Sequence, residues 1–263
     1  MIDTHCHLDR CKDTNGVIQV AFDDSESSGA LAAAVTIGID PASCQRAVAL
    51  AEQHERVFAA VGLHPTNAEQ VKDADARATI AELATHPKVV AIGESGFDYY
   101  WDAASADAQR ESFFWQAELA NNLEKPLILH VRDKQGKRDA SAETAQRLQE
   151  ANCHQGILHC FNGDEGLLEI GLALGLMVSF AGNVTFKKAP AIQASAKIVP
   201  EARILVETDS PYLAPVPKRG KPNQPSYVRH TAAFVAQLRG VEVEVLEQQT
   251  DANARRIYNL PAL

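Results

Sequence analysis

Two histidines one residue apart, His5 and His7 in Asp3-Thr4-His5-Cys6-His7, begin a series of polar side chains spread widely along the chain. Glu94, His130, His159 and Asp209 follow, each at or just beyond the end of a short apolar run. Imidazole nitrogens and carboxylate oxygens are the donors that bind divalent cations. Taken singly, each residue has an ordinary explanation. An H-x-H pair is a common surface or core feature, and a carboxylate after a strand caps a helix or pairs with a cation. Together, four histidines and two carboxylates are too many donors for one tetrahedral structural zinc. They suit two cations that share a carboxylate and leave positions open for water, which is the equipment of a hydrolase.

For that chemistry the fold must gather residues some 200 positions apart. Apolar strand-like runs are predicted at 2–6, 31–37, 57–62, 89–93, 127–130, 156–159, 177–180 and 204–207. Helical patterns lie between or after them at 42–53, 74–85, 106–122, 141–151, 166–174, 190–198 and 226–238. Near-continuous apolar strands joined by helix-length crossovers mean a parallel sheet covered on both faces. Eight of them in 263 residues most economically close into a (β/α)8 TIM-type barrel, an α/β fold occupying 1–263 as a single domain. The carboxyl ends of such strands share one mouth, and the candidate donors stand at the ends of five of them. The two-residue spacing of His5 and His7 turns both rings to the same side of an extended chain. Neither G-x-G-x-x-G nor G-x-x-x-x-G-K-[ST] occurs, so no dinucleotide or nucleotide-triphosphate loop is expected.

Composition narrows the class. With 25 Lys+Arg against 34 Asp+Glu, the net charge of -9 gives no general attraction to nucleic acid or anionic membrane, so any polyanion must be held by local cations. Asp3, Arg10 and Asp13 interrupt any signal-peptide pattern, and the longest apolar stretches, 30–35 and 170–178, are too short or glycine-broken to span a bilayer. Five cysteines with no C-x-x-C fit reduced thiols and a cytoplasmic location, and a monomer is the default assembly.

The motif series Asp3-Thr-His-Cys-His7, Gly62-Leu-His-Pro65, Gly93-Glu-Ser-Gly-Phe-Asp98, His130-Val-Arg132, His159-Cys-Phe161 and Glu207-Thr-Asp-Ser-Pro-Tyr-Leu213 resembles the TatD-type metal-dependent deoxyribonucleases of the amidohydrolase superfamily. The matches come in the family's order and run from the first residues to Asn253 and Arg256, so the resemblance covers essentially the whole chain. It implies a two-metal hydrolase acting on nucleic-acid phosphodiesters, often as a 3'-to-5' exonuclease, with zinc, manganese or magnesium as cofactor and DNA or other nucleic-acid ends as substrate. It further implies that His5 and His7 hold one metal with Asp209, that His130 and His159 hold the other, and that Glu94 bridges them. Asp209, beside the reactive water, is then the expected general base. Ser95, Phe97, Asn162 and Gln224 depart from the family's usual pattern and bear on substrate preference. An ester hydrolase such as a D-aminoacyl-tRNA deacylase is the alternative within the same barrel, and a non-enzymatic, metal-stabilised binding protein is the third reading.

Other residues could contact substrate. Arg132 shares the parity of His130 and could fork onto a phosphate, or pair with a carboxylate. His64 stands at the end of the third strand as a substrate or leaving-group contact, or as a support for a ligand. Tyr99, Tyr100 and Trp101 could stack a base or simply pack the rim. Lys187-Lys188 and Lys218-Arg219-Gly220-Lys221 are the basic clusters, and both follow late strands, on the face where substrate would enter.

Overall fold

The computed structural model describes residues 1–23, 30–101, 103–153 and 155–261, which include every residue singled out above. Eight parallel strands follow one another in chain order: β1 (Ile2–Cys6), β2 (Ala33–Ile37), β3 (Val57–Val61), β4 (Val89–Asp98), β5 (Leu127–Arg132), β6 (Gly156–Leu158), β7 (Met177–Phe180) and β8 (Ile204–Val206). The ring closes at β1 and β8 through a parallel bridge between Cys6 and Ser210, with His7 N–H donating to Ser210 O at 2.7 Å and Asp209 N–H to His5 O at 2.9 Å. The seam of the barrel therefore runs through three of the candidate donors.

Helices cover the outside: α1 (Thr14–Phe22), α2 (Pro41–Gln53), α3 (Ala74–Ala84), α4 (Ala106–Asn122), α5 (Asp139–Glu150), α6 (Glu165–Ala173), α7 (Pro190–Ile198), α8 (Val228–Arg239) and α9 (Val243–Tyr258). Their starts follow from local chemistry. Asp40 and Ser43 form a capping box with Pro41 at the first position of α2, while Ser105 and Asp164 cap α4 and α6 through their side chains. Gly240, at φ +67°, ends α8 in the left-handed conformation. Among the described residues no helix is long and apolar enough to cross a membrane.

Strand alternation splits the core in two. Val57, Ala59 and Val61 pack with residues of the helices, whereas Phe58 and Ala60 join Ile2, Val35, Ile128, Ile157, Met177 and Leu205 in a second cluster that draws on all eight strands and fills the lumen. Tyr258 and Leu260, at the end of α9, belong to that second cluster, and the Tyr258 hydroxyl donates to Thr4 O at 2.9 Å.

Sequence and structure differ in particular places. The fourth strand, expected at 89–93, continues to Asp98, and the fifth continues past His130 to Arg132. Helices α1 and α9 were not expected. In α9 the buried face includes Thr250 and Asn253, which hide the apolar period. In α1 only Ile18 and Ala21 are buried.

Candidate metal centre

Glu94 occupies the middle of the mouth and is only 2% exposed. Two glycines aim it there. A Cβ on Gly93, at φ +134°, would lie 2.7 Å from Ile128 O, and one on Gly96, at φ +121°, would lie 2.3 Å from His130 O. Only glycine lets the β4 backbone bend this closely against β5 on either side of the carboxylate, where the pairing register slips between Ile92 and Ser95.

Imidazoles surround its two oxygens. Oε1 lies 3.0 Å from His5 Nε2 and 3.3 Å from His7 Nε2. Oε2 lies 3.3 Å from His130 Nδ1, 3.6 Å from His159 Nε2 and 3.5 Å from His64 Nε2. Asp209 Oδ1 completes the group, 3.4 Å from His7 Nε2 and 3.8 Å from His5 Nε2. Burial alone would raise the Glu94 carboxyl, but the His159 and His5 rings overcome it and hold it well below the usual carboxylate range. Asp209 is likewise held down by His7 against its burial.

The outer nitrogens decide what the inner ones can do. His7 Nδ1 donates to Ile37 O at 3.2 Å, His159 Nδ1 to Glu207 Oε1 at 3.0 Å, and His130 Nε2 to Asp98 Oδ2 at 3.0 Å. Each neutral ring is thereby left with a lone pair aimed at Glu94, and the inner nitrogens of His130 and His159 face one another at 3.4 Å. Lone pairs converging on a carboxylate repel unless positive charge lies between them. In the metal-free protein protons supply it. Burial would lower His7 and His130, yet Asp209 and Glu94 raise His7 well above its ordinary value, and Asp98 and Glu94 push His130 up to about 9. The donor set fits cations: His5, His7 and Asp209 can share one ion, and His5, Glu94 and His159 another.

His64 is different. His64, Glu94 and His130 also lie close enough together to share an ion, but His64 Nδ1 accepts from Thr66 N–H at 3.1 Å and lies 2.7 Å from the Thr66 hydroxyl. Its proton is therefore on Nε2, which faces Glu94 as a donor and not as a ligand. Burial and the neighbouring His130 lower its pKa to about 3, so the ring stays neutral.

The cleft above these groups measures about 780 Å³ and is also lined by Arg10, Trp101, Arg132, Asn162, Asn183 and Tyr212. Arg132 pairs with no carboxylate among the described residues. Its guanidinium lies 4.1 Å from the centre of the Tyr100 ring and 5.5 Å from that of Trp101, within reach of a cation–π contact. Trp101 and Tyr212 remain 54% and 48% exposed, so both keep a face free at the rim.

A family model for TatD related DNase matches residues 2–259. The chain is 36% identical over 262 residues to the uncharacterized metal-dependent hydrolase YabD of Bacillus subtilis, covering 99% of each chain. It is 38% identical over 270 residues to the uncharacterized metal-dependent hydrolase YcfH of Escherichia coli K12, covering 100% of this chain and 97% of that one. The chain belongs to the TatD-related DNase family. It is a metal-dependent hydrolase of that family. The crystal structure of the TatD homologue YjjV from Escherichia coli K12 superposes with a TM-score of 0.88 at 27% identity, covering 99% of this chain and 98% of that one, as expected for one barrel fold.

Within this TatD barrel, every donor expected from the sequence reaches the same mouth. Asp98 and Glu207 orient His130 and His159, a role that strand-end position alone does not assign them. Their signal is parity: Asp98 is four residues after Glu94, and Glu207 is two before Asp209, so each can face the same side. Of the family departures, Asn162 lines the cleft and donates to Ser141 Oγ at 2.9 Å, Gln224 donates to Ser226 Oγ at 2.7 Å, and Phe97 packs on Phe113.

Proposed function

We propose that this protein is a two-cation phosphodiesterase that removes nucleotides from the 3' ends of DNA. His5, His7 and Asp209 would hold one ion, His130 and His159 the other, with the Glu94 carboxylate between the two groups. The observation that carries the reading is the convergence of five imidazole nitrogens and the Asp209 carboxylate on one buried Glu94 carboxylate, beneath a rim where the Arg132 guanidinium lies over Tyr100 and near Trp101. When bound, two divalent cations supply the acidity that ionises water near neutral pH and the positive charge that neutralises phosphoryl oxygens; zinc, manganese and magnesium all accept this mixture of donors.

The chain's own residues do the rest. Asp209, held ionised by His7 and facing the cleft, accepts the proton from the attacking water. A P–O bond forms on one side of phosphorus, and the bond to the 3' oxygen of the preceding nucleotide breaks on the other. His64 donates from Nε2 to a phosphoryl oxygen as negative charge accumulates there, acting as a neutral hydrogen-bond donor because a ring titrating near 3 has no second proton to give. Arg132 forks onto a phosphate, and its stacking on Tyr100 and Trp101 limits the orientations it must give up on binding. Trp101 and Tyr212 offer faces on which a terminal base stacks. The five free cysteines, four of them buried, suit a reducing cytoplasm.

The test is reconstitution of apoprotein with zinc, manganese or magnesium, assayed on end-labelled single-stranded and duplex DNA and, separately, on D-aminoacyl-tRNA. Mononucleotide release from 3' ends, abolished by chelator and by Glu94→Ala, is the expected result. Release of the amino acid with DNA left whole would replace the reading with a deacylase.

A further inference from the structure

The two basic runs of the sequence, 30 residues apart, meet in the structure. The loop after β7 carries Phe186, Lys187 and Lys188, and the loop after β8 carries Lys218, Arg219 and Lys221. The Arg219 guanidinium lies 3.8 Å over the Phe186 ring, and Lys218 Nζ lies 5.1 Å over Tyr227. The loops are fastened to each other: Val216 N–H donates to Thr185 Oγ1 at 2.9 Å, and a Cβ on Gly182 would sit 2.0 Å from Leu213 O. Buried Asn223 ties down the base of the second loop by donating to Thr208 O at 2.8 Å and Tyr212 O at 2.6 Å. This surface is therefore preorganised.

It is also uncompensated. Some cations elsewhere on this acidic chain are paired, as in Arg46–Asp9, Lys72–Glu69 and Arg138–Asp164, and others, such as Lys12 and Lys197 among the described residues, stand singly; the two loops differ in gathering five together. Among the described residues Lys187, Lys188, Lys218, Arg219 and Lys221 have no ion-pair partner. Five like charges on two locked loops repel one another until an anion joins them. The surface adjoins the metal cleft, since Asn183, three residues before Phe186, and Tyr212 and Leu213, five or more before Lys218, line that cleft.

We infer that the β7 and β8 loops form one phosphate-binding saddle that holds the polynucleotide backbone several nucleotides from the bond being cleaved. The inference rests on the proposed phosphodiesterase reading and adds to it a length preference: a strand long enough to leave the cleft over Tyr212 gains contacts that a dinucleotide cannot make. A polynucleotide fits better than an anionic membrane because the saddle is continuous with the cleft.

Two variants test it, Lys218→Ser/Arg219→Ser/Lys221→Ser and Lys187→Ser/Lys188→Ser, both in metal-loaded protein. Binding of a labelled 12-nucleotide single strand is measured by anisotropy across a salt series, and kcat/KM is measured on that strand and on a dinucleotide. Each lost phosphate contact lowers the slope of log K against log salt by about 0.7, so the triple variant should lose about 2 from the slope and the double variant about 1.4. Cleavage of the dinucleotide should stay within about twofold of wild type, because no saddle contact is removed from it. An unchanged salt slope, or equal losses on both substrates, overturns the saddle. So does loss of binding to phosphatidylserine vesicles with DNA binding intact. Wild-type protein that cleaves neither substrate overturns the phosphodiesterase reading instead, and the binding slope still reports on the saddle.

Discussion

The two halves of the candidate metal centre place their negative charge differently. On the β1–β8 side the charge is Asp209 itself, while His7 is oriented by the neutral carbonyl of Ile37 and buried His5 Nδ1 has no partner among the described residues. On the β5–β6 side both donors are imidazoles, and the charge lies behind them, in Asp98 behind His130 and Glu207 behind His159. Asp98 Oδ1 also accepts from Tyr100 and Trp101 N–H at 2.9 Å each, so one carboxylate fixes a histidine and the aromatic shelf under Arg132. Glu207 Oε1 similarly accepts from Cys160 N–H at 2.9 Å. A carboxylate that holds an ion through one oxygen keeps the other free to accept a proton, as Asp209 can with Oδ1 turned to the histidines. One placed behind an imidazole orients the ring and raises its basicity. On this account the β1–β8 half performs proton transfer and the β5–β6 half is the more rigid template.

The comparison can be broken most severely at the residue both halves share. Glu94→Gln should remove the second equivalent of metal and lower kcat/KM by about 10³-fold or more, with the fold retained, as checked by metal analysis and circular dichroism. Full metal content in that variant would show that the halves are independent. Asp209→Asn should come next, with turnover down about 10²- to 10⁴-fold through loss of the proton acceptor and little change at the β5–β6 half. Asp98→Asn and Glu207→Gln should each weaken one of two titrated metals by about 10- to 100-fold and leave the other within a few-fold. Equal weakening of both would erase the distinction drawn here.

A gentler effect concerns pH. Against its burial, Asp98 and Glu94 raise His130 to about 9 from an ordinary 6.5, so its protonation contributes stability to the metal-free protein that is fully present below 6.5 and lost as pH rises through 9. Cations bind the deprotonated ring. The rise in Tm on adding zinc should therefore grow between these two values, and calorimetry in buffers of different ionisation heat should detect proton release at the lower end. A pH-independent shift would mean that His130 is not a ligand. The smallest expected change is for Arg132→Ala, which should raise KM about tenfold with kcat nearly unchanged, as for a contact made equally in ground and transition states.

Much of this was legible in the residues because the barrel's strands are short, apolar and bounded. β1, β7, α4 and α7 run over the same residues the pattern predicts, where burial on both strand faces or a clear helical stripe leaves one solution. The apolar pattern of β4 ends early because Glu94, Ser95 and Asp98, with Gly93 and Gly96 among them, break the run even though every residue from Val89 to Asp98 is buried. The pattern fails there because the site lies there, and polar groups that would destabilise an ordinary strand are satisfied by one another. The donors could be read from their positions at strand ends. Parity places Asp98 and Glu207 on the same side, but their role could not be read, because a carboxylate behind a histidine is known only once the histidine's orientation is known. Nor could the merging of the basic loops, which depends on how the turns after β7 and β8 fold together.

The most direct measurement is the metal stoichiometry of reconstituted protein, by titration calorimetry paired with elemental analysis, for wild type and for Glu94→Gln. The account predicts two equivalents for wild type and at most one for the variant. A single equivalent in wild type that survives Glu94→Gln would contradict it.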